Sequence, residues 1–462
     1  MRITHYAATL PMPYSRLLKF ITFVVLLGLS CTLLAEPPRP VIPTPPATAQ
    51  PFLPEGVGPL VTDPVSAVVP AIDPDIDALM SAVSRQNLVA YVQQLEGFVT
   101  RNTFSETQRD DYGIGAARRW LRDEFEQVGG GRLQVRFDDF PLNHAGLVTN
   151  QRNVIATLPG AGRHPGVIVV MAHYDSRTYD PNDGVGRAPG ANDNGSGVAV
   201  MLELARLMSS RTWNQTIIFA SFTAEEQGTH GSRQFVQRVM LEGMLVDAGI
   251  NNDIVGGRPG IPQYLRSFTR PLPEDSNARQ LIRYMDLVGG LYMPTFPIVF
   301  QNSIDRPDRY SDHMEFLNVG VAAVRITESV EDFSTQHTGF DTSDRLDYDY
   351  LRQVVQVNLA LVGNMAGAPG MPSRPTVAPM ANAGDYILTW RVDPQAAGYM
   401  IAFRRLGSDE FEPFRYVSNL EAGNVALTGF DPQTTYAISL AALSNSGRVS
   451  LFSPEVLAAP QP

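Results

Sequence analysis

Five side chains of types that zinc favours occur in the order His173, Asp193, Glu226, Asp253 and His337, and a spare carboxylate, Glu225, directly precedes the third. Two divalent ions that share one carboxylate need such a set, with a leftover Glu placed to take a proton from an activated water. The chemistry implied is that of a metallohydrolase. Each motif alone has an ordinary reading. His173 lies in HYDS, where Asp175 stands ready to accept the second ring N–H and fix the tautomer. Asp193 in GANDNGSG serves equally as an Asx-type turn opening a helix near Ser196 or as a metal-bridging carboxylate on a glycine-rich bend. Glu225 and Glu226 follow TIIFASFTA and precede QGTHGS, and neighbouring side chains diverge, so one can bind metal while the other reaches water. Asp253 in NNDIVGG and His337 in QHTGFDT would be a turn Asp and a loop His if met singly. It is the ordered set that points to a metal centre.

Other chemistries are removed by what the chain lacks. The single cysteine, Cys31, and the single lysine, Lys19, both fall in the first 35 residues. A chain without that segment has no thiol nucleophile, Schiff-base lysine, disulfide or thiolate metal site. The net charge of −11 becomes about −14 when Arg2, Arg16 and Lys19 are lost, because no acid precedes Glu36. Such a surface repels nucleic acid and anionic membranes, so neither is an expected partner.

The elements that must carry these residues are legible in outline. Apolar runs over residues 152–158, 166–172, 216–222 and 319–326 have strand length and almost no polar alternation, as strands covered on both faces require. Helical spacing marks residues 76–95, 114–128, 196–209 and 350–365. The expected fold class is α/β, a mostly parallel central sheet flanked by helices, followed by a small all-β sandwich. In an open α/β sheet ligands bind beyond the carboxyl ends of the strands, where His173, Glu225 and Glu226 would all fall.

The ends read differently. Residues 1–35 carry a basic start and an apolar run like an export signal, which makes the chain exported, with lipid attachment at Cys31 or an uncleaved anchor as lesser alternatives. No membrane span is expected once the signal is removed. Residues 36–74 are proline-rich and read as an extended tether. The catalytic domain is expected over 75–366, a linker over 367–374 and the sandwich over 375–462. Trp390, the Tyr399-Ile401-Phe403 alternation and Tyr436 resemble the fibronectin type III pattern, and that unit is expected to offer a docking partner a surface.

AHYDS, PGANDNGSG, TAEEQGTHGS, INNDIVG, SDHMEF and QHTGFDT, taken in this order, resemble the co-catalytic di-zinc exopeptidases of the bacterial leucyl aminopeptidase and aminopeptidase Y type. The resemblance implies two Zn2+ ions per chain, one held by His173 and Asp253, the other by Glu226 and His337, with Asp193 bridging. It makes Glu225 the general base, Asp175 the partner of His173, and Asp193–Asn194 a cis peptide. Ser311-Asp312-His313 matches a segment that lines the site wall. Some relatives steady the oxyanion with a tyrosine near this segment or the last His. Here Tyr310 adjoins Ser311 and Gln336 precedes His337, so neither position matches cleanly and Tyr310 is the candidate. The implied substrates are peptides with a free N-terminus. Two alternatives stand beside this one: a single-zinc glutaminyl cyclase-like enzyme, and a receptor-like relative without activity.

Overall fold

A computed structural model describes residues 60–62, 64, 68–307 and 310–461. The expected export signal and most of the proline-rich segment lie outside the described residues. An eight-stranded sheet forms the centre, in the order β1-β2-β4-β3-β5-β8-β6-β7. Its strands are β1 (Gln134–His144), β2 (Leu147–Leu158), β3 (Val167–His173), β4 (Thr216–Phe222), β5 (Val246–Asn252), β6 (Leu265–Phe268), β7 (Ile298–Gln301) and β8 (Ala323–Glu328). β3 runs parallel to β4 and β5, β5 to β8, and β6 to β7, while the remaining pairings are antiparallel.

The twofold alternation of β3 divides the core. Ile168, Val170 and Ala172 join one cluster with α1 (Pro74–Ser81), α2 (Arg85–Gly97), α3 (Gly113–Gly129), α4 (Gly197–Met208), α6 (Asn277–Tyr292) and α8 (Tyr348–Gly367). Val167, Val169 and Met171 join the other, with α5 (His230–Leu241) and α7 (His313–Asn318). Both faces of the strand are thus roofed by helices, which is why it shows no polar position before its last residue, His173. Residues 152–158, expected as a complete strand, are only the inner part of β2. Val154–Leu158 pairs with β4, while the full length of β2 pairs with β1 across a hairpin turn at Ala145-Gly146, whose φ values of 51° and 82° suit a left-handed turn. β1 and β5 were not anticipated, because their buried positions alternate with, or include, polar residues.

A seven-stranded sandwich follows. β10 (Tyr386–Thr389) is flanked by β13 (Asn424–Leu427) and β9 (Thr376–Pro379) in one sheet. The other sheet has the order β12-β11-β14-β15, from Arg415–Ser418, Gly398–Arg405, Tyr436–Leu443 and Val456–Ala458 respectively. Trp390 lies one residue past β10 and packs edge-on to Tyr399 at 5.3 Å. This unit is not merely linked to the rest. Met400, Ala402, Ala441, Leu443, Val449, Leu451 and Phe452 belong to the same buried cluster as the residues of α6 and α8. Across the join, fully buried Arg404 pairs with Glu274, and Arg283 pairs with Glu455 and Asp409. Residues 60–73 also depart from the expected tether where they are described. Val61 bridges to Val425, the Ala71 N–H donates to the Gly447 carbonyl, and Asp73, the N-cap of α1, pairs with Arg448 at 2.7 Å.

Candidate metal centre

The carboxyl edge of the sheet gathers the motif residues. His173 ends β3, Glu225 and Glu226 follow β4 by a short turn, Asp253 immediately follows β5, and the loop after β8 carries His337. Asp193 arrives on the turn before α4, where the Asp193–Asn194 peptide is cis, as the resemblance implied. Two features set that turn. Gly190 has φ +53°, and a Cβ there would lie 2.5 Å from the Asp193 carbonyl. At Gly197 a Cβ would come within 2.1 Å of the Asn252 carbonyl, so only glycine lets α4 start this close to β5.

Asp193 sits at the middle of the cluster with its two oxygens facing opposite ways. Oδ1 is 3.3 Å from His173 Nε2, which is also 3.6 Å from Asp253 Oδ1. Oδ2 is 3.2 Å from His337 Nε2, which is 3.3 Å from Glu226 Oε2. A tetrahedral shell with bonds near 2.0–2.1 Å has edges of about 3.3–3.4 Å, so both groups have the spacing of ligands around one ion each. Glu225 Oε2 stands 4.0 Å from His173 Nε2, beside the cluster rather than in either edge set.

The electrostatics also suit cations. Glu226 Oε1 is buried and accepts no hydrogen bond among the described residues. Burial, together with Glu226, Asp312 and Asp253, pushes the Glu225 carboxyl well above the usual range despite nearby His173. Asp312 is pushed up to about 7 by burial and by Asp175 and Asp253, against His173 and Ser232. Burial opposes charge on His337, but Glu226 and Asp193 outweigh it and raise the ring to about 9. A cluster of buried acids with two imidazoles is therefore short of positive charge, and the donor set fits zinc.

The remaining expected residues take definite places. Asp175 is fully buried, with its carboxylate 3.6 Å from His173 Nδ1, but the closer partner of that nitrogen is the Asp175 main-chain carbonyl at 3.2 Å. The carboxylate instead accepts the N–H groups of Glu225 and Glu226 at 3.3 and 3.2 Å, orienting both acids at once. Tyr310 is half exposed and makes no hydrogen bond to the cluster among the described residues.

Several supporting residues went unread in the sequence. Asp341 accepts the N–H groups of Asn192 and Asp193, and burial raises its carboxyl to about 6. Gln336 Nε2 donates to Asp193 Oδ2 at 2.8 Å. Fully buried Arg101 donates to the carbonyls of Tyr174, Leu95, Pro189 and Gly190, tying the end of β3 to the Asp193 turn. Arg325 pairs with Asp253 at 2.9 Å and Arg177 with Glu226 at 2.7 Å. Only Arg325 left a signal in the sequence, as a charge inside the apolar run VAAVRI.

Similarity to known proteins agrees with this geometry. The profile of peptidase family M28 matches residues 153–362. A probable zinc metalloprotease of Pyricularia oryzae is 33% identical over 414 residues, spanning 79% of this chain and 82% of that protein. A second, from Leptosphaeria maculans, is 32% identical over 379 residues, or 74% of this chain and 88% of the relative. Among solved structures, the Legionella pneumophila LapA aminopeptidase superposes with a TM-score of 0.52 at 22% identity, covering 65% of this chain and 76% of that one. The aminopeptidase of Aneurinibacillus sp. strain AM-1 gives 0.51 at 16% identity, covering 63% and 96%. At these identities the structures speak for the fold.

Proposed function

The chain belongs to peptidase family M28, a family of zinc metalloproteases, and from that premise we propose that it is a two-zinc aminopeptidase removing N-terminal residues from peptides. The observation that carries the proposal is the fork of Asp193, with one oxygen turned to His173 and Asp253 and the other to His337 and Glu226. On this reading His173, Asp253 and Asp193 hold one zinc, and His337, Glu226 and Asp193 hold the other. When bound, the ions supply Lewis acidity for the scissile carbonyl and bring a water's pKa towards about 7.

The chain's own residues do the rest. Glu225 takes the proton of the attacking water on its carboxylate and passes it to the leaving amine nitrogen, from its place 4.0 Å from His173 Nε2 beside the ligands. Asp175 holds the backbone of both Glu225 and Glu226, so base and ligand keep a fixed separation. The substrate's α-ammonium is drawn to the carboxylates, and this makes the enzyme an exopeptidase. Tyr310 remains the candidate for steadying the oxyanion, which requires its exposed side chain to swing over the site.

The proposal includes export through residues 1–35, with the mature chain beginning at Glu36. In this reading the fibronectin type III-like sandwich is part of the folded body of the enzyme. The deciding experiment compares aminoacyl anilides with their N-acetylated forms on the zinc-loaded protein. Cleavage confined to the free amines is expected, and equal cleavage of both would overturn the aminopeptidase reading.

A further inference from the structure

The two non-bridging carboxylates are each held by an arginine, in contrasting ways. Arg325 is closed on every side. It is 1% exposed, its Nε faces Asp253 Oδ2 at 2.9 Å, Nη1 is 3.5 Å from Asp305, and Nη2 is directed at the Asp253 carbonyl. Arg177 is open. Its Nε donates to Glu226 Oε2 at 2.7 Å and Nη1 to the Tyr179 carbonyl, while Nη2 has no hydrogen-bond acceptor among the described residues. Its side chain is 21% exposed, and the neighbouring Tyr179 is 77% exposed, so solvent reaches this guanidinium beside Glu226. Orienting a carboxylate requires only the closed arrangement seen at Arg325.

We propose that Arg177 determines substrate specificity by receiving, on its open edge, the α-carboxylate of a dipeptide. This rests on the aminopeptidase reading and narrows it. The sign of charge fixes the orientation. Arg177 is a partly exposed cation in contact with Glu226 of a centre rich in acids, so a substrate's α-ammonium is repelled from it and its carboxylate drawn to it. Reach fixes the length. Glu226 Oε2 faces the reacting centre, 3.3 Å from His337 Nε2, and Arg177 Nε is 2.7 Å from that same oxygen. One residue on either side of the scissile bond spans only about 3.8 Å, so the group within reach of Arg177 belongs to a residue next to the cut, and in a dipeptide only the second of these ends in an anion. The unused Nη2 offers a carboxylate a charge-assisted hydrogen bond, which is stronger than the one a neutral amide oxygen can accept there.

The test uses the zinc-loaded full-length protein and three substrates, Leu-Ala, Leu-Ala-amide and Leu-Asp-amide, with zinc content measured for each variant. Wild type is expected to favour Leu-Ala over its amide by about tenfold or more in kcat/KM, chiefly through KM, the size of one charge-assisted contact. In R177Q the ratio of acid to amide should fall to about one, and R177K should keep part of it. The ratio cancels any common effect of the substitution on Glu226 or on metal loading. A wild-type ratio near one, a ratio unchanged in R177Q, or a preference for Leu-Asp-amide over Leu-Ala would each overturn the proposal. The aminopeptidase reading fails separately, on rapid cleavage of N-acetyl-Leu-Ala, and in that event the ratio of acid to amide still decides the role of Arg177.

Discussion

At the scale of single residues the centre is organised by what surrounds the ligands as much as by the ligands. Glu225 has the position of a base, so Glu225→Gln should lower kcat by about 10²–10⁴-fold while zinc content stays at the wild-type level. Full activity in a zinc-loaded Glu225→Gln protein would remove its assignment. Arg325 neutralises the oxygen of Asp253 that faces away from His173. Arg325→Met should therefore weaken zinc binding by about 10–100-fold in a chelator competition, leaving a buried carboxylate free to turn. An unchanged zinc affinity would make Arg325 a packing residue only. The side chains that cluster here were legible in the sequence because zinc restricts residue types. Asp341, Gln336 and Arg101 were not, because they act through backbone groups of distant segments, and nothing in GFDTS or TRNTF announces such a partner. Ala224, Ile254 and His337 have φ values of 55°, 59° and 58°, each at or next to a base or ligand. Left-handed backbone at non-glycine residues costs about 1–3 kcal/mol apiece and marks where the fold bends to aim these side chains.

At the scale of elements, the strands that positioned the site were readable where both faces are buried. β3 and β4 matched their apolar runs to within a residue, while β5 (VDAGINN) did not, because its end is polar for the sake of the centre. Asn252 at that end accepts from Asn194 and exchanges amide contacts with Asn358 of α8, which links β5 to the Asp193 turn. Gly197→Ala should force α4 away from this strand end. The expected result is a loss of about 1–3 kcal/mol in denaturant unfolding together with weaker zinc binding, and a stable variant with normal zinc would show that the contact relaxes freely. On the opposite edge, His164 Nε2 meets Asp247 of β5 at 2.6 Å, and this partner, against partial burial, raises the imidazole above its ordinary value. A raised histidine stabilises the fold fully below the unfolded value near 6.5, and the contribution fades as pH climbs through the higher folded value. His164→Gln should therefore lower stability at pH 5.5 and matter progressively less above neutrality. An equal loss at all pH values would contradict the ion pair.

At the scale of the whole molecule, the proline-glycine break near residue 370 suggested two separable units, and the chain instead builds one continuous core across it. The sequence held a sign of this: GYMIAF and YAISLAAL carry apolar residues in both alternating sets, although a free sandwich would show one wet face on its antiparallel strands, and in the structure β11 is buried at every position but its last and β14 at all of them. Their second face meets α6 and α8, and Arg279 and Arg283 of α6 find carboxylates on the sandwich at Asp409 and Glu455. Deleting residues 370–462 should leave that apolar surface and those arginines uncovered. A soluble truncated enzyme with wild-type melting temperature and activity on small substrates would refute this, whereas aggregation or a drop in Tm of 10 °C or more, on the order of a few kcal/mol, is expected. Among the described residues no helix is long and apolar enough to cross a membrane.

The proposed pair of metal sites forked by Asp193 underlies every role assigned above, and anomalous diffraction at the zinc edge tests it directly. Two peaks about 3.5–4 Å apart are expected, one among His173, Asp193 and Asp253 and one among His337, Asp193 and Glu226. A single peak, or peaks away from Asp193, would contradict the two-zinc centre.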